Sequence, residues 1–195
     1  MAKEIKLPQV KIKGNVSVEE TLNKRRSVRE FKKDNLSLEQ LSQLLWAAQG
    51  ITEKRRGFRT APSAGALYPM EVYLLSPEGF YRYIPASHSL VIIDQKDLRP
   101  PLSEAAFSQD SVALAQADFV ICAVYDKITV RYGERGIRYA HIEAGHIAQN
   151  IHLQAVALGL GSVPIGAFDD AAVKKLLGLS KECQPLYIIP IGYTE

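Results

Sequence analysis

Phe119-Val-Ile-Cys-Ala-Val-Tyr125 is an unbroken apolar run in the second half of the chain. Strands that are covered on both faces have this composition, so the run predicts a central strand of a sheet. Residues 136–158 then form the longest predicted helix, which ends at Gly159, a residue type that commonly follows a helix. Apolar residues recur along it at helical spacing: Ile137, Ala140, Ala144, Ala148, Ile151, Ala155 and Leu158.

Shorter elements are predicted on both sides of this pair. Ser17-Val-Glu-Glu20 and Ser37-Leu-Glu-Gln40 have the capping-box pattern that starts helices. Ser76-Pro-Glu-Gly79 is a turn sequence between two predicted strands. Helices mixed with strands, with a late return strand, indicate an α+β sandwich rather than a regular doubly wound sheet. The predicted strands are 71–75, 80–84, 90–93 and 186–191, with a strand or extended segment at 162–168 and helices near 102–107 and at 169–177.

The chain of 195 residues predicts one domain with an N-terminal arm. Residues 1–16 are rich in lysine and contain a proline and a glycine, so they are predicted to be an extended arm, and residues 17–195 form the domain. Residues 51–61 show no periodicity and are predicted to be a mobile loop, either a basic lid over a site or a solvated loop.

Composition predicts an ordinary globular protein of the cytoplasm. Hydrophobic residues make up 47% of the chain and charged residues 23%, and no apolar run is long enough to cross a membrane. The net charge of +3 is too small to argue for a nucleic-acid partner from bulk electrostatics. Cys122 and Cys183 lie in apolar surroundings, which favours two buried thiols in a reducing compartment over a disulfide.

A compact basic cluster is the first candidate site. Arg25, Arg26 and Arg29 carry planar guanidinium groups that suit phosphate oxygens, and Ser27 adds a hydroxyl. This set predicts a site for the phosphate of a cofactor. A solvated basic helix end is the alternative, and a nucleic-acid-binding module is another, although no recognised module accompanies the arginines.

Other site chemistries find no support in the sequence. Gly159-Leu-Gly-Ser-Val-Pro-Ile-Gly166 is rich in glycine, but it lacks the spacing of the dinucleotide fingerprint and follows a helix instead of a strand. His141, His146 and His152 cannot converge on one ion from a single helix, so no metal site is expected. No nucleophile elbow is present either.

Three segments taken together resemble the flavin-binding segments of the nitroreductase superfamily. They are Arg25-Arg-Ser-Val-Arg-Glu-Phe31, Pro62-Ser-Ala-Gly-Ala-Leu-Tyr-Pro69 and Gly159-Leu-Gly-Ser-Val-Pro-Ile-Gly-Ala-Phe168. Residues 61–68 and 138–150 are most similar to the SagB-type, thiazole/oxazole dehydrogenase-like branch. The resemblance spans residues 20–193 and implies a three-layer α/β/α sandwich with a mainly antiparallel central sheet.

The resemblance also implies a role for each segment in binding FMN. The phosphate and ribityl chain would be held by Arg25, Arg26, Ser27 and Arg29. Pro164 and Ile165 would pack on one flavin face, and the backbone N–H of Gly166 would face flavin N5. The isoalloxazine would lie along Pro62, Ser63, Ala64, Gly65, Ala66 and Tyr68, where Ala66 and Tyr68 replace an Asn and a Gln common in the family.

The function implied is that of an FMN-dependent oxidoreductase, working as a homodimer on NAD(P)H and a small electron-poor acceptor. A SagB-like dehydrogenase that oxidises a heterocycle is an alternative. The Lys-Tyr pair of the azoline-oxidising relatives reads Arg138-Tyr139 here, and because arginine stays protonated, Tyr139 is the remaining acid–base candidate for this alternative. A flavin-binding protein without turnover is a further alternative.

Overall fold

Nine strands and seven α-helices follow one another in the computed structural model, which describes residues 3–194. The strands are β1 (Glu4–Lys6), β2 (Ile51–Glu53), β3 (Phe58–Arg59), β4 (Met70–Ser76), β5 (Gly79–Ile84), β6 (Ser89–Asp94), β7 (Ala117–Val124), β8 (Leu160–Ser162) and β9 (Cys183–Tyr193). The helices are α1 (Val18–Lys24), α2 (Leu38–Gln49), α3 (Arg99–Ala105), α4 (Asp110–Leu114), α5 (Asp126–Tyr132), α6 (Arg135–Ala157) and α7 (Asp170–Leu176).

Seven strands form one sheet in the order β1-β6-β5-β4-β7-β9-β8, and every pair of neighbours in it is antiparallel. Side chains of α2, α5 and α6 pack with one face of the sheet, and side chains of α3, α4 and α7 pack with the other. The predicted fold class is therefore confirmed as an α+β sandwich of three layers with an antiparallel centre.

Strand β7 and helix α6 are the two elements that the apolar patterns predicted most clearly. β7 lies between β4 and β9, and all its residues except Val124 are buried, as a central strand requires. α6 runs from Arg135 to Ala157, one residue ahead of the prediction at each end. Gly159 follows in the left-handed conformation with φ of 72°. Both predictions are confirmed.

The two predicted capping boxes differ in the structure. Ser37 accepts a hydrogen bond from the Gln40 backbone N–H while the Gln40 side chain accepts from the Ser37 N–H, a complete box. Ser17 caps α1 by accepting from the Glu20 N–H, but the Glu20 carboxylate instead pairs with the Lys24 ammonium at 2.6 Å. The second half of the box predicted at Ser17 is therefore wrong.

The prediction of a loop without regular structure at 51–61 is wrong. β2 and β3 pair as a small hairpin, in which the Thr52 hydroxyl donates to the Phe58 carbonyl at 3.2 Å. The Glu53 carboxylate closes the turn by accepting from the Arg55 N–H and from Nε of Arg56. These bonds stabilise a segment that is too short and too polar to show a strand pattern.

Residues of the predicted N-terminal arm take part in the main sheet. Glu4–Lys6 pairs with residues 89–91 as an edge strand. Farther along, Lys11 exchanges hydrogen bonds between its backbone and the Gln43 side chain of α2. Among the helices of residues 3–194, none combines the length and apolarity of a membrane-spanning helix.

Candidate functional site

The basic segment (residues 25–31) lies directly against the glycine-rich segment (residues 159–168), although the contacting residues Val28 and Ser162 are 134 positions apart in the chain. The Val28 N–H donates to the Ser162 carbonyl at 3.0 Å, and Ser27 forms a parallel bridge with Ser162. A Cβ on Gly161 would lie 2.9 Å from the Cβ of Val28. Glycine at 161 is thus what allows the basic segment to lie against β8.

The three arginines of this segment have no acidic partner within ion-pair distance in the described chain, residues 3–194. Nη1 of Arg26 donates hydrogen bonds to the backbone carbonyls of Asn23 and Arg25, at 2.9 and 2.7 Å. Arg25 is half-buried, whereas Ser27 and Arg29 are exposed. The segment therefore presents uncompensated guanidinium donors beside β8, a donor set that fits a phosphate.

A buried histidine contacts Ser162 from the interior of the protein. His152 of α6 is 3% exposed, and its Nδ1 lies 2.6 Å from the Ser162 hydroxyl. Burial, together with the positive charge on Arg25, lowers the pKa of His152 to about 4. The imidazole is therefore neutral at physiological pH and adds no charge of its own to the arginine segment.

The Pro62–Tyr68 segment is a tight turn held in an unusual backbone conformation. Gly65, Ala66 and Tyr68 all have positive φ, at 62°, 54° and 48°. Residues other than glycine rarely adopt this backbone conformation, and those that do cluster at functional sites. The Ser63 hydroxyl accepts from the Tyr68 N–H at 2.9 Å, and the Tyr68 hydroxyl accepts from the Arg59 N–H at 3.1 Å. Pro62, Gly65 and Ala66 are exposed on this turn.

Hydrogen bonds among Arg59, Gln49 and Glu143 connect this turn to helices α2 and α6. Gln49 receives a hydrogen bond from Nη1 of Arg59 at 2.9 Å and donates to the Glu143 carboxylate of α6 at 3.3 Å. Burial raises the pKa of Glu143, while its contacts with Ser63 and Gln49 and the charge on Arg59 oppose that shift. The guanidinium of Arg59 also stacks over the Tyr68 ring, 4.4 Å from its centre.

The sequence patterns did not single out this network. Glu143 carries the one signal that could have revealed it, because it lies within the apolar stripe of α6 between Ala140 and Ile147. Gln49 and Arg59 carry no such signal, since only the fold brings α2, β3 and α6 together. Glu143 and His152 are nine positions apart, about 14 Å along the helix axis, so α6 supports both segments.

The Pro164–Gly166 segment presents backbone and proline at the surface. Ile165 exchanges backbone hydrogen bonds with Ile188, at 2.8 and 3.0 Å, and its side chain is buried in the core. Pro164 and Gly166 are exposed, so they and not the Ile165 side chain form the open surface here. The Gly166 N–H has no hydrogen-bond acceptor within residues 3–194 and is free to donate to a ligand.

Tyr139 lies on α6, away from the arginine segment. Its ring packs edge-on against Tyr132 with 5.2 Å between ring centres, and Arg138 beside it is exposed. Across residues 3–194, no group of three or more His, Cys, Asp or Glu side chains is arranged to hold a metal ion.

Comparison with known proteins identifies the family. The model of the nitroreductase family matches residues 22–193. The chain belongs to the nitroreductase family. It is 43% identical over 195 residues to a protein of Methanocaldococcus jannaschii that bears the name nitroreductase, covering 97% of this chain and 96% of that one. A crystal structure from Ralstonia eutropha, also described as a nitroreductase, superposes with a TM-score of 0.90 at 32% identity, covering 98% of this chain and 90% of the other.

The expected resemblance to the SagB-type branch is confirmed as well. The microcin B17-processing protein McbC of Escherichia coli is 29% identical over 161 residues, which covers 76% of this chain and 59% of McbC. This nitroreductase-family chain thus has relatives both among proteins called nitroreductases and in the SagB-type branch.

Proposed function

We propose that this nitroreductase-family protein is an FMN-dependent oxidoreductase that passes electrons from NAD(P)H to a small electron-poor acceptor. The observation that carries the proposal is the contact between Val28 and Ser162, because it joins unpaired arginines to the segment that ends in the free Gly166 amide. One group that has both a phosphate and a polar ring system would satisfy both sets of donors.

Different segments of the chain would hold the phosphate and the ring system of FMN. Arg25, Arg29 and the Ser27 hydroxyl would bind the phosphate, and Arg26 would add its remaining donors, because Nη1 already binds backbone carbonyls. The isoalloxazine would lie beside the Pro62–Tyr68 turn. Pro164 and the Gly166 N–H would border it on the other side.

FMN supplies hydride and electron transfer, which no side chain of the protein can perform. The protein's part is to bind, orient and polarise. The Gly166 N–H would donate to flavin N5, and such fixed donors stabilise charge without reorganising. The network of Gln49, Arg59 and Glu143 would keep the Pro62–Tyr68 turn rigid.

We further propose that the protein is a homodimer that acts in the cytoplasm. Ile137 and Ile142 are exposed on α6, and Gly145 on the same helix has no atom within 4 Å of a Cβ placed on it. An exposed helix face with large apolar residues and a glycine suits close packing against a second copy. Cys122 and Cys183 are buried free thiols, as a reducing compartment favours.

A SagB-like dehydrogenase is the second candidate, and the similarity to McbC favours it. The name of McbC assigns it to the processing of microcin B17. In this candidate Tyr139 would exchange the proton, because Arg138 stays charged. The electrons would then flow from the substrate to the flavin, the reverse of the first candidate.

Anaerobic reduction of the purified protein tests the proposal. We expect the protein to bind FMN and its flavin absorption to bleach when NADH or NADPH is added without oxygen. A protein that takes up no FMN contradicts both candidates. A flavoprotein that bleaches with dithionite but with neither nicotinamide contradicts the NAD(P)H oxidoreductase and favours the dehydrogenase or a flavin carrier.

A further inference from the structure

A cavity of about 220 Å³ lies next to the Pro62–Tyr68 turn, bounded mainly by strands β4 and β5. None of Arg25, Arg26, Ser27 and Arg29 lines it, so it is distinct from the arginine segment. Tyr68 lines it and also belongs to the turn that we propose to border the flavin. The cavity is thus a neighbour of the proposed flavin site and not a part of the phosphate site.

The cavity has an excess of positive charge. Arg59, Arg82 and Lys127 line it, and among residues 3–194 Glu71 is the one carboxylate in its lining. Lys127 donates to one oxygen of Glu71 at 3.1 Å, and the Tyr73 hydroxyl donates to the other at 2.8 Å. Lys127 pairs with Glu71, so the two arginines leave the lining with a net positive charge.

Arg59 is the deeper of these two arginines. Its Nη1 donates to Gln49, but its Nε is buried and has no hydrogen-bond partner within residues 3–194. Neither Arg59 nor Arg82 pairs with a carboxylate within 4.0 Å in that part of the chain. A buried donor without an acceptor is costly, and an anionic ligand would supply the acceptor.

Apolar side chains form a smaller part of the cavity lining, which is mostly polar. Val72, Ile84 and Pro85 line the cavity beside the tyrosine rings. A cavity of about 150 Å³ is enough to hold a benzene ring, so this one has room for a single small ring or a short branched chain. Inorganic phosphate would leave these apolar side chains uncovered, whereas an acid with an apolar body would cover them.

We propose that this cavity binds a small organic carboxylate, with its carboxylate group on Arg59 and Arg82 and its apolar body against Val72, Ile84 and Pro85. The planar guanidinium fork matches two carboxylate oxygens, so arginines in the lining of a cavity select acids over their neutral analogues. This inference goes beyond the proposed oxidoreductase and does not depend on it.

Calorimetric titration with cyclohexanecarboxylate tests the proposal. We expect one binding site on the purified protein, and binding at least roughly tenfold weaker for cyclohexanecarboxamide, which has the same shape without the charge. Arg82→Gln should weaken binding of the acid by a similar factor. Arg82 is exposed, so this variant keeps the fold, and its thermal unfolding checks that.

Arg55→Gln is the matched control, because Arg55 is exposed on the β2–β3 turn and the substitution removes the same charge. It should bind the acid as the unsubstituted protein does. Equal affinity for acid and amide, tighter binding of inorganic phosphate, or an unchanged Arg82→Gln variant would each overturn the proposal. A protein that binds the acid but no FMN would overturn the oxidoreductase proposal alone.

Discussion

His152 and Glu143 are the two titratable side chains that α6 buries behind the candidate site. Burial lowers the pKa of the His152 imidazole, which is therefore neutral at physiological pH, and raises the pKa of the Glu143 carboxyl. The positive charge beside β8 therefore comes from the arginines alone. This arrangement keeps the arginine segment available for an anion over a wide range of pH.

His152 should make the stability of the protein depend on pH. Its pKa is about 4 in the fold and 6.5 in an unfolded chain, so the unfolded state binds the proton first as the pH falls. This group should cost about 2 kcal/mol of stability between about pH 7.5 and about pH 5. Urea unfolding of the protein and of His152→Gln at both pH values measures the difference.

The variant should lose that part of the pH dependence. His141→Gln, in which an exposed histidine of the same helix is replaced, should retain it. If His152→Gln and the unsubstituted protein lose the same free energy of unfolding on acidification, His152 is not buried in its neutral form.

At the scale of elements, the docking of the basic segment on β8 positions the arginines. Two glycines near β8 test this docking separately. Gly161 lies under Val28 and Thr194, whereas Gly159 has open space around it but a positive φ of 72°.

Gly161→Ala should lower FMN affinity roughly tenfold or more, because its Cβ would push the Val28 backbone away from β8 and displace the arginines. Gly159→Ala should cost about 1 kcal/mol of stability through its backbone conformation and leave FMN affinity unchanged. Fluorescence titration of FMN and chemical unfolding of both variants separate the two effects. Equal FMN affinities in the two variants would contradict the positioning role of this contact.

The elements also differ in how well their sequences predict them. β7 and α6 were predicted because burial on both faces, or on one helical stripe, leaves a periodic apolar pattern. The hairpin of β2 and β3 was missed because its bonds come from Thr52 and Glu53, polar residues that are equally common in loops. Helix α5 was missed as well, because Asp126–Tyr132 is short and packs mainly through Ile128.

The sequence also predicts some parts of the candidate site and misses others. The arginine cluster is visible in the sequence as a local run of charge. Its proximity to residues 159–166 is predicted only by the resemblance to a family. The network of Gln49, Arg59 and Glu143 is made by three elements that no local pattern links. Sequence thus predicted the groups that act within one segment and missed those that tertiary structure brings together.

At the scale of the whole molecule, the exposed face of α6 is the surface on which we propose that a second copy packs. Ile142 on this helix is 49% exposed, and Ile93 on β6 is 48% exposed. If a second copy covers α6, Ile142→Glu should convert a dimer to a monomer, whereas Ile93→Glu should leave the dimer intact. Light scattering coupled to size-exclusion chromatography reports both masses, and an Ile142→Glu variant that stays dimeric would rule out this face.

Comparing FMN with riboflavin, which lacks the phosphate, tests the central claim most directly. We expect Arg25→Ala to lower FMN affinity by roughly tenfold or more, since a charge-assisted bond is worth about 1.5–3 kcal/mol, and to leave riboflavin affinity unchanged. Arg55→Ala should alter neither. The account is contradicted if Arg25→Ala and Arg55→Ala bind FMN equally, or if Arg25→Ala weakens riboflavin as much as FMN.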